Sequence, residues 1–64
     1  MKRKELWMEI GAAVNCRVFG KGVITRMESK FINNVEYVCS IYVLMEGETT
    51  AWRIYPGDVS EVGN

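Results

Sequence analysis

Val35-Glu36-Tyr37-Val38-Cys39-Ser40-Ile41-Tyr42-Val43-Leu44-Met45 is the stretch on which the fold turns. Tyr37, Cys39, Ile41, Val43 and Met45 alternate with Val38, Tyr42 and Leu44, which is the period of two that a β-strand imposes on its side chains. Both sets are apolar. One of them can line a core, and the other then needs a partner or a covering segment. Upstream, Asn33-Asn34 tolerates left-handed backbone and marks a turn, and Val23 to Glu28 brings β-branched Val23, Ile24 and Thr25. Gly20-Lys21-Gly22 supplies two glycines for a tight turn before that strand. Val14, Cys16 and Val18 point one way and Asn15, Arg17 and Phe19 the other, as on a further half-buried strand. Downstream, Glu46-Gly47-Glu48 turns the chain. Thr49 to Tyr55 returns as a strand, with Thr50, Trp52 and Ile54 alternating against Ala51, Arg53 and Tyr55, and Pro56-Gly57-Asp58 ends it. Val59-Ser60-Glu61-Val62 suits one turn of 3₁₀ helix followed by a short closing strand. Residues 2–10 read as one short helix, with Leu6 and Ile10 four apart on one face and Gly11 at its end.

Five short strands with Gly and Asn turns in about fifty residues predict an all-β fold, a small, strongly bent antiparallel barrel, because closing the sheet removes most edges. The SH3-like barrel is its natural form. Residues 1–10 are expected as an arm or short helix and residues 11–64 as the barrel. A chain of 64 residues holds one domain of modest stability, since so short a chain buries only about 60% of its unfolded surface. Added support is expected.

Eight Lys plus Arg balance eight Asp plus Glu, for a formal charge of zero, which argues against attachment to nucleic acid mainly by counterion release. No histidine is present, so Ser-His-Asp and Cys-His catalysis and any His-containing zinc site are excluded. Cys16 and Cys39 are too few for a secreted disulfide framework and stand in apolar surroundings, as buried thiols do. The start Met1 to Ile10 has the positive charge of a signal peptide without the apolar run that should follow, and no stretch approaches the ~20 residues of a membrane span. A soluble cytoplasmic protein without membrane contact, metal or cofactor is expected.

Gly11-Ala12-Ala13-Val14, Phe19-Gly20-Lys21-Gly22-Val23-Ile24 and Tyr55-Pro56-Gly57-Asp58-Val59 together resemble the Tudor/KOW type of SH3-like barrel. The hairpin is most similar to that of the carboxy-terminal Tudor-like domain of UvrD-family helicases, a module that docks on RNA polymerase. The resemblance covers about a dozen positions. It implies a protein-interaction module, of the kind attached to transcription or nucleic-acid machinery, and nothing of a helicase. Trp52-Arg53-Ile54-Tyr55-Pro56 also resembles the Val-Gln-Ile-Tyr-Pro segment of plasmid-encoded type B dihydrofolate reductases, tetrameric SH3-like barrels in which the segment lines a central pore and contacts folate and NADPH. Arg53 stands where that family has glutamine and Trp52 where it has valine. Four copies of Arg53 at one symmetric centre would repel one another, so the expectation is a non-enzymatic protein.

Glu46 and Glu48 flank a turn glycine and read as a solvated tip rather than an acid/base pair. Gly20-Lys21-Gly22 lacks the length and following helix of a phosphate loop, and Lys2-Arg3-Lys4 reads as a frayed, solubilising end. The aromatic residues carry more. Phe19, Tyr42, Trp52 and Tyr55, with Trp7 and Phe31 nearby in principle, exceed what so small a core needs. Arg53 and Lys21 beside them could read a carboxylate, a phosphate or a base. The expected binding residues are therefore Arg53, Tyr55, Phe19, Lys21 and Trp52, with Trp52 the readiest of them to serve the core. A protein partner is expected ahead of nucleic acid. Val38, Tyr42 and Leu44, on the spare face of the long strand, are the expected self-association surface of a homo-oligomer.

Overall fold

The computed structural model describes residues 1–62. Gly63 and Asn64, the end of the expected 11–64 unit, lie outside the described residues. The chain is all-β, a single curled half-barrel of antiparallel strands: β1 Lys2–Arg3, β2 Ala13–Cys16, β3 Gly20–Ile32, β4 Val35–Met45, β5 Trp52–Ile54 and β6 Val59–Glu61. Along the sheet the order is β1-β4-β3-β2-β6, and β5 pairs with β4. The edge of β4 away from β3 is shared, with β1 opposite Tyr37 and Val38 and β5 opposite Ile41 to Val43. A 3₁₀ turn, Pro56–Asp58, carries the chain from β5 on one edge to β6 on the other. That turn falls three residues earlier than expected. Pro56 pre-sets the backbone at its start, and Val59 is thereby free to pair with Cys16.

β4 has the bounds its alternation predicts, and Asn33 and Asn34, at φ 50° and 65°, make the two-residue turn in which both central residues are left-handed. The β2–β3 hairpin is displaced from its expected turn. Cys16 pairs with Gly20, so Arg17, Val18 and Phe19 form the loop and only Gly20 takes positive φ, at 88°. Val18 is consequently exposed rather than aligned with Val14 and Cys16. Gly22 serves another purpose. A Cβ there would lie 2.5 Å from Val43 Cγ1 and 2.7 Å from the Leu44 carbonyl oxygen, so the close crossing of β3 over β4 requires a residue without a side chain.

Two register shifts bend the β3–β4 ladder. Ile24 faces Val43 but Arg26 faces Tyr42, leaving Thr25 extra on β3, while Glu28 faces Ser40 and Ser29 faces Val38, leaving Cys39 extra on β4. Each bulge bends its strand and reverses which alternate residue points inward. The core accordingly contains Ile41, Val43 and Met45 from one phase of β4 and Val38 from the other. Val38, expected on the self-association face, is 0% exposed.

Residues 2–10 are not helical. Lys2 and Arg3 are taken into the sheet, and a segment this short is already below the about 12–15 residues at which an isolated helix becomes marginally stable. Leu6, on the expected buried face, is 98% exposed, and Met8 is fully buried instead. The segment is a strap that inserts Met8 into the core, with the Glu5 N–H directed at Met8 Sδ and Trp7 packed alongside. Lys2-Arg3-Lys4 is not a frayed end either, since the Lys4 N–H donates to the Glu36 carbonyl at 3.0 Å. The expected strand Thr49 to Tyr55 contracts to Trp52–Ile54.

Gly22→Ala should therefore lower thermal stability sharply. Overpacking of a tight core typically costs about 1–3 kcal/mol, and backbone is among the atoms that would have to yield. The same change at Gly57, with nothing within 4 Å, should leave the melting temperature nearly unchanged.

Candidate functional site

The outer face of the sheet between β3 and β5 carries a polar row that follows from the bulges. Once Thr25 has shifted the register, Arg26, Tyr42 and Arg53 stand side by side on three neighbouring strands. The Arg26 guanidinium lies over the Tyr42 ring, its Cζ 5.1 Å from the centroid, a separation at which a cation is drawn to the negative face of the ring. Glu28, two residues along β3 from Arg26, joins the group. Its Oε1 accepts from the Tyr42 hydroxyl at 3.4 Å. The same oxygen lies 3.9 Å from Arg53 Nε, and its Oε2 lies 3.6 Å from an Nη of Arg26.

Arg53 is oriented by a second contact. Its Nε donates to Ser40 Oγ at 2.9 Å, and Ser40 is the one buried polar side chain among the described residues. Cys39 and Ser40 sit where the edge of β4 is uncovered, between the stretch paired with β1 and the stretch paired with β5. A groove of about 210 Å³ opens there, lined by Ser40, Arg53, Ile54 and Tyr55. Ile54 borders it from the strand, with its side chain in the core, and Tyr55 is 73% exposed beside it.

The other expected residues are elsewhere. Phe19 and Trp52 stack on each other, centroids 5.7 Å apart and rings 19° from parallel. This joins the β2–β3 loop to β5. Trp52 shares the inward row of Val43 and Ile24, but no strand covers it beyond β5, so it remains 47% exposed rather than belonging to the core. Its indole N–H donates to Glu48 at 3.1 Å. Lys21 lines a separate hollow of about 510 Å³ with Ala13, Val23, Leu44, Glu46 and Val62. Phe31 lies seven residues along β3 from Ile24, roughly 20 Å at about 3.3 Å per residue, and takes no part in either group.

Ser40, Glu28 and Arg26 were not singled out by the sequence. A lone hydroxyl within an apolar strand is the one signal that marks Ser40. The alignment of Arg26 with Tyr42 depends on a bulge that no local pattern announces. Burial raises the Cys16 thiol above its ordinary pKa, so it stays protonated at neutral pH, and both cysteines are free. Among the described residues no three His, Cys, Asp or Glu side chains gather as a metal site requires, and no helix is long and apolar enough to cross a membrane. Comparison with protein-family models, with curated proteins and with solved structures finds no match to this chain.

Proposed function

We propose that the protein is a non-enzymatic, cytoplasmic interaction module of SH3-like type that binds a protein partner through the β5 edge, with Arg53 and Tyr55 as the principal contacts. The observation that carries this reading is the pairing of an oriented arginine with an exposed tyrosine at one small groove. Arg and Tyr are among the residues whose loss costs most at protein interfaces. A formal charge of zero favours a protein over a polyanion, and attachment to transcription or nucleic-acid machinery accords with the Tudor-like resemblance. A second reading, binding of single-stranded nucleic acid, is favoured by the half-exposed Phe19–Trp52 stack, on which a base could lie. Salt-dependent retention on DNA or RNA would establish it, as NADPH-dependent reduction of dihydrofolate would establish a type B reductase.

Arg53→Ala separates binding from stability. The Arg53 side chain is 68% exposed and its ion pair with Glu28 is long, so the pair is worth less than about 1 kcal/mol, and its hydrogen bond to Ser40 contributes about 1 kcal/mol. The melting temperature should fall by no more than about 10 °C. Affinity for a partner isolated by pull-down and titrated by calorimetry should fall, and unchanged affinity would move the site away from β5.

Self-association belongs to the same proposal, on a surface that keeps only Leu44 of the three expected residues. Val38 is internal and Tyr42 is occupied by Arg26 and Glu28, which leaves Leu44. With Ala13 and Val23 it forms an apolar row across β2, β3 and β4. Lys21 and Glu46 are adjacent on its rim, linked through the Glu46 N–H to the Lys21 carbonyl. A twofold contact would set Lys21 of each copy against Glu46 of the other. Sedimentation at several concentrations should show a dimer that Leu44→Lys dissociates without unfolding, and a monomer at high micromolar protein would refute it.

A further inference from the structure

We infer that the Arg26–Tyr42–Arg53 row, with the adjoining groove, recognises an acidic peptide. The carboxylates go to the two guanidinium groups, and a neighbouring apolar side chain packs on the exposed Tyr55 ring at the groove. This rests on the reading of the protein as a protein-binding module and specifies the chemistry of its partner.

Three observations carry it. Arg53 has five N–H donors, and only the Nε donor makes a hydrogen bond among the described residues. Because its acceptor is the buried Ser40, the guanidinium is held in place before any ligand arrives, and its Nη edge is left for a bidentate partner. The second observation is Glu28. Its carboxylate reaches both Arg53 and Arg26, at 3.9 and 3.6 Å, so a carboxylate is attracted to the gap between them. Both distances exceed those of a charge-assisted hydrogen bond, about 2.7–2.9 Å, and the arginines can therefore exchange Glu28 for a better placed acid. The third is size. The groove of about 210 Å³ falls below the roughly 300–1,000 Å³ of small-molecule sites, which suits one side chain rather than a cofactor. The uncovered stretch of β4, Cys39 and Ser40, is too short to accept an added strand, so side chains must supply the recognition.

A nucleic acid strand fits less well. A phosphate backbone needs a track of cations, whereas Glu28 lies between the two arginines and Glu36 and Asp58 are paired with Lys4 and Arg17 elsewhere on the surface.

The test uses a fluorescein-labelled peptide of alternating glutamate and leucine, the same peptide with glutamine for glutamate, and an oligo-dT strand, each titrated against the full chain. The glutamate peptide should bind and the other two should bind at least about tenfold more weakly, a difference of about 1.4 kcal/mol. Arg53→Gln should cost a similar factor. Arg53→Lys should not restore it, because a point charge lacks the fork. Ser40→Ala should weaken binding by a few-fold through loss of orientation, and Glu28→Gln should tighten it by removing the internal competitor. Thermal melting of each variant confirms the fold. Failure of the glutamate peptide to bind, equal binding of the glutamine peptide, stronger binding of oligo-dT, or indifference to both Arg53→Gln and Glu28→Gln would overturn the proposal. If the acidic peptide fails while an isolated protein partner is lost on Trp52→Ala, the acidic specificity is wrong and the protein-binding reading survives. If the chain binds no protein by either surface, both fall.

Discussion

The antiparallel ladder between Gly20–Ile32 and Val35–Met45 slips by one residue at Thr25 and recovers it at Cys39, and the rest of the molecule is arranged around those two slips. A straight ladder of this length would be a flat ribbon with one wet and one dry face. The bulges bend it, so that Ile24, Val43 and Ile41 enclose the core at one end while Val38 reaches the same core from the opposite phase. The bend also brings β3 and β4 together so tightly at Gly22 that no side chain fits between them. With neither a disulfide nor, among the described residues, a metal cluster, the curvature is what lets so few residues surround an interior at all.

Short elements complete what the ladder begins. The strap adds Met8 to the core, and the 3₁₀ turn after β5 returns the chain from the edge of β4 to β6 beside β2. Because β1 and β5 divide one edge of β4 between them, a small gap remains at Cys39 and Ser40. The bulge that creates the bend is thus the reason a hydroxyl is buried beside an arginine on an outer face. Fold and candidate site share one cause.

Much of this was legible in the sequence. The bounds of β4, the Asn33-Asn34 turn and the all-β class follow from alternation and turn chemistry, because both act between neighbours in the chain. Arg53 and Tyr55 were legible as a surface pair for the same reason. The rest depends on non-local events. Val38 could not be separated from Tyr42 and Leu44 by parity, since a bulge inverts parity without leaving a compositional mark. The apparent helix of residues 2–10 has a reasonable Leu6–Ile10 spacing, but the sheet's demand for Lys2 and Arg3 and the core's demand for Met8 overrode it. Trp52 lies in an inward row, as its size suggests, and is nevertheless half-exposed because the sheet stops at β5. Ser40 acquired its role from an arginine thirteen residues away, which no local pattern contains.

Cross-strand Hα–Hα nuclear Overhauser effects, measured on the isotope-labelled chain in solution, test the double register shift directly. The account predicts that the middle of the ladder follows the shifted pairing, in which Ile41 opposes Met27 and Tyr42 opposes Arg26, while Ser29 opposes Val38 beyond the second bulge. Contacts of Ile41 with Arg26 and of Tyr42 with Thr25 would mean an unbulged ribbon, with Val38 outside and no Arg26–Tyr42–Arg53 row, and would contradict it.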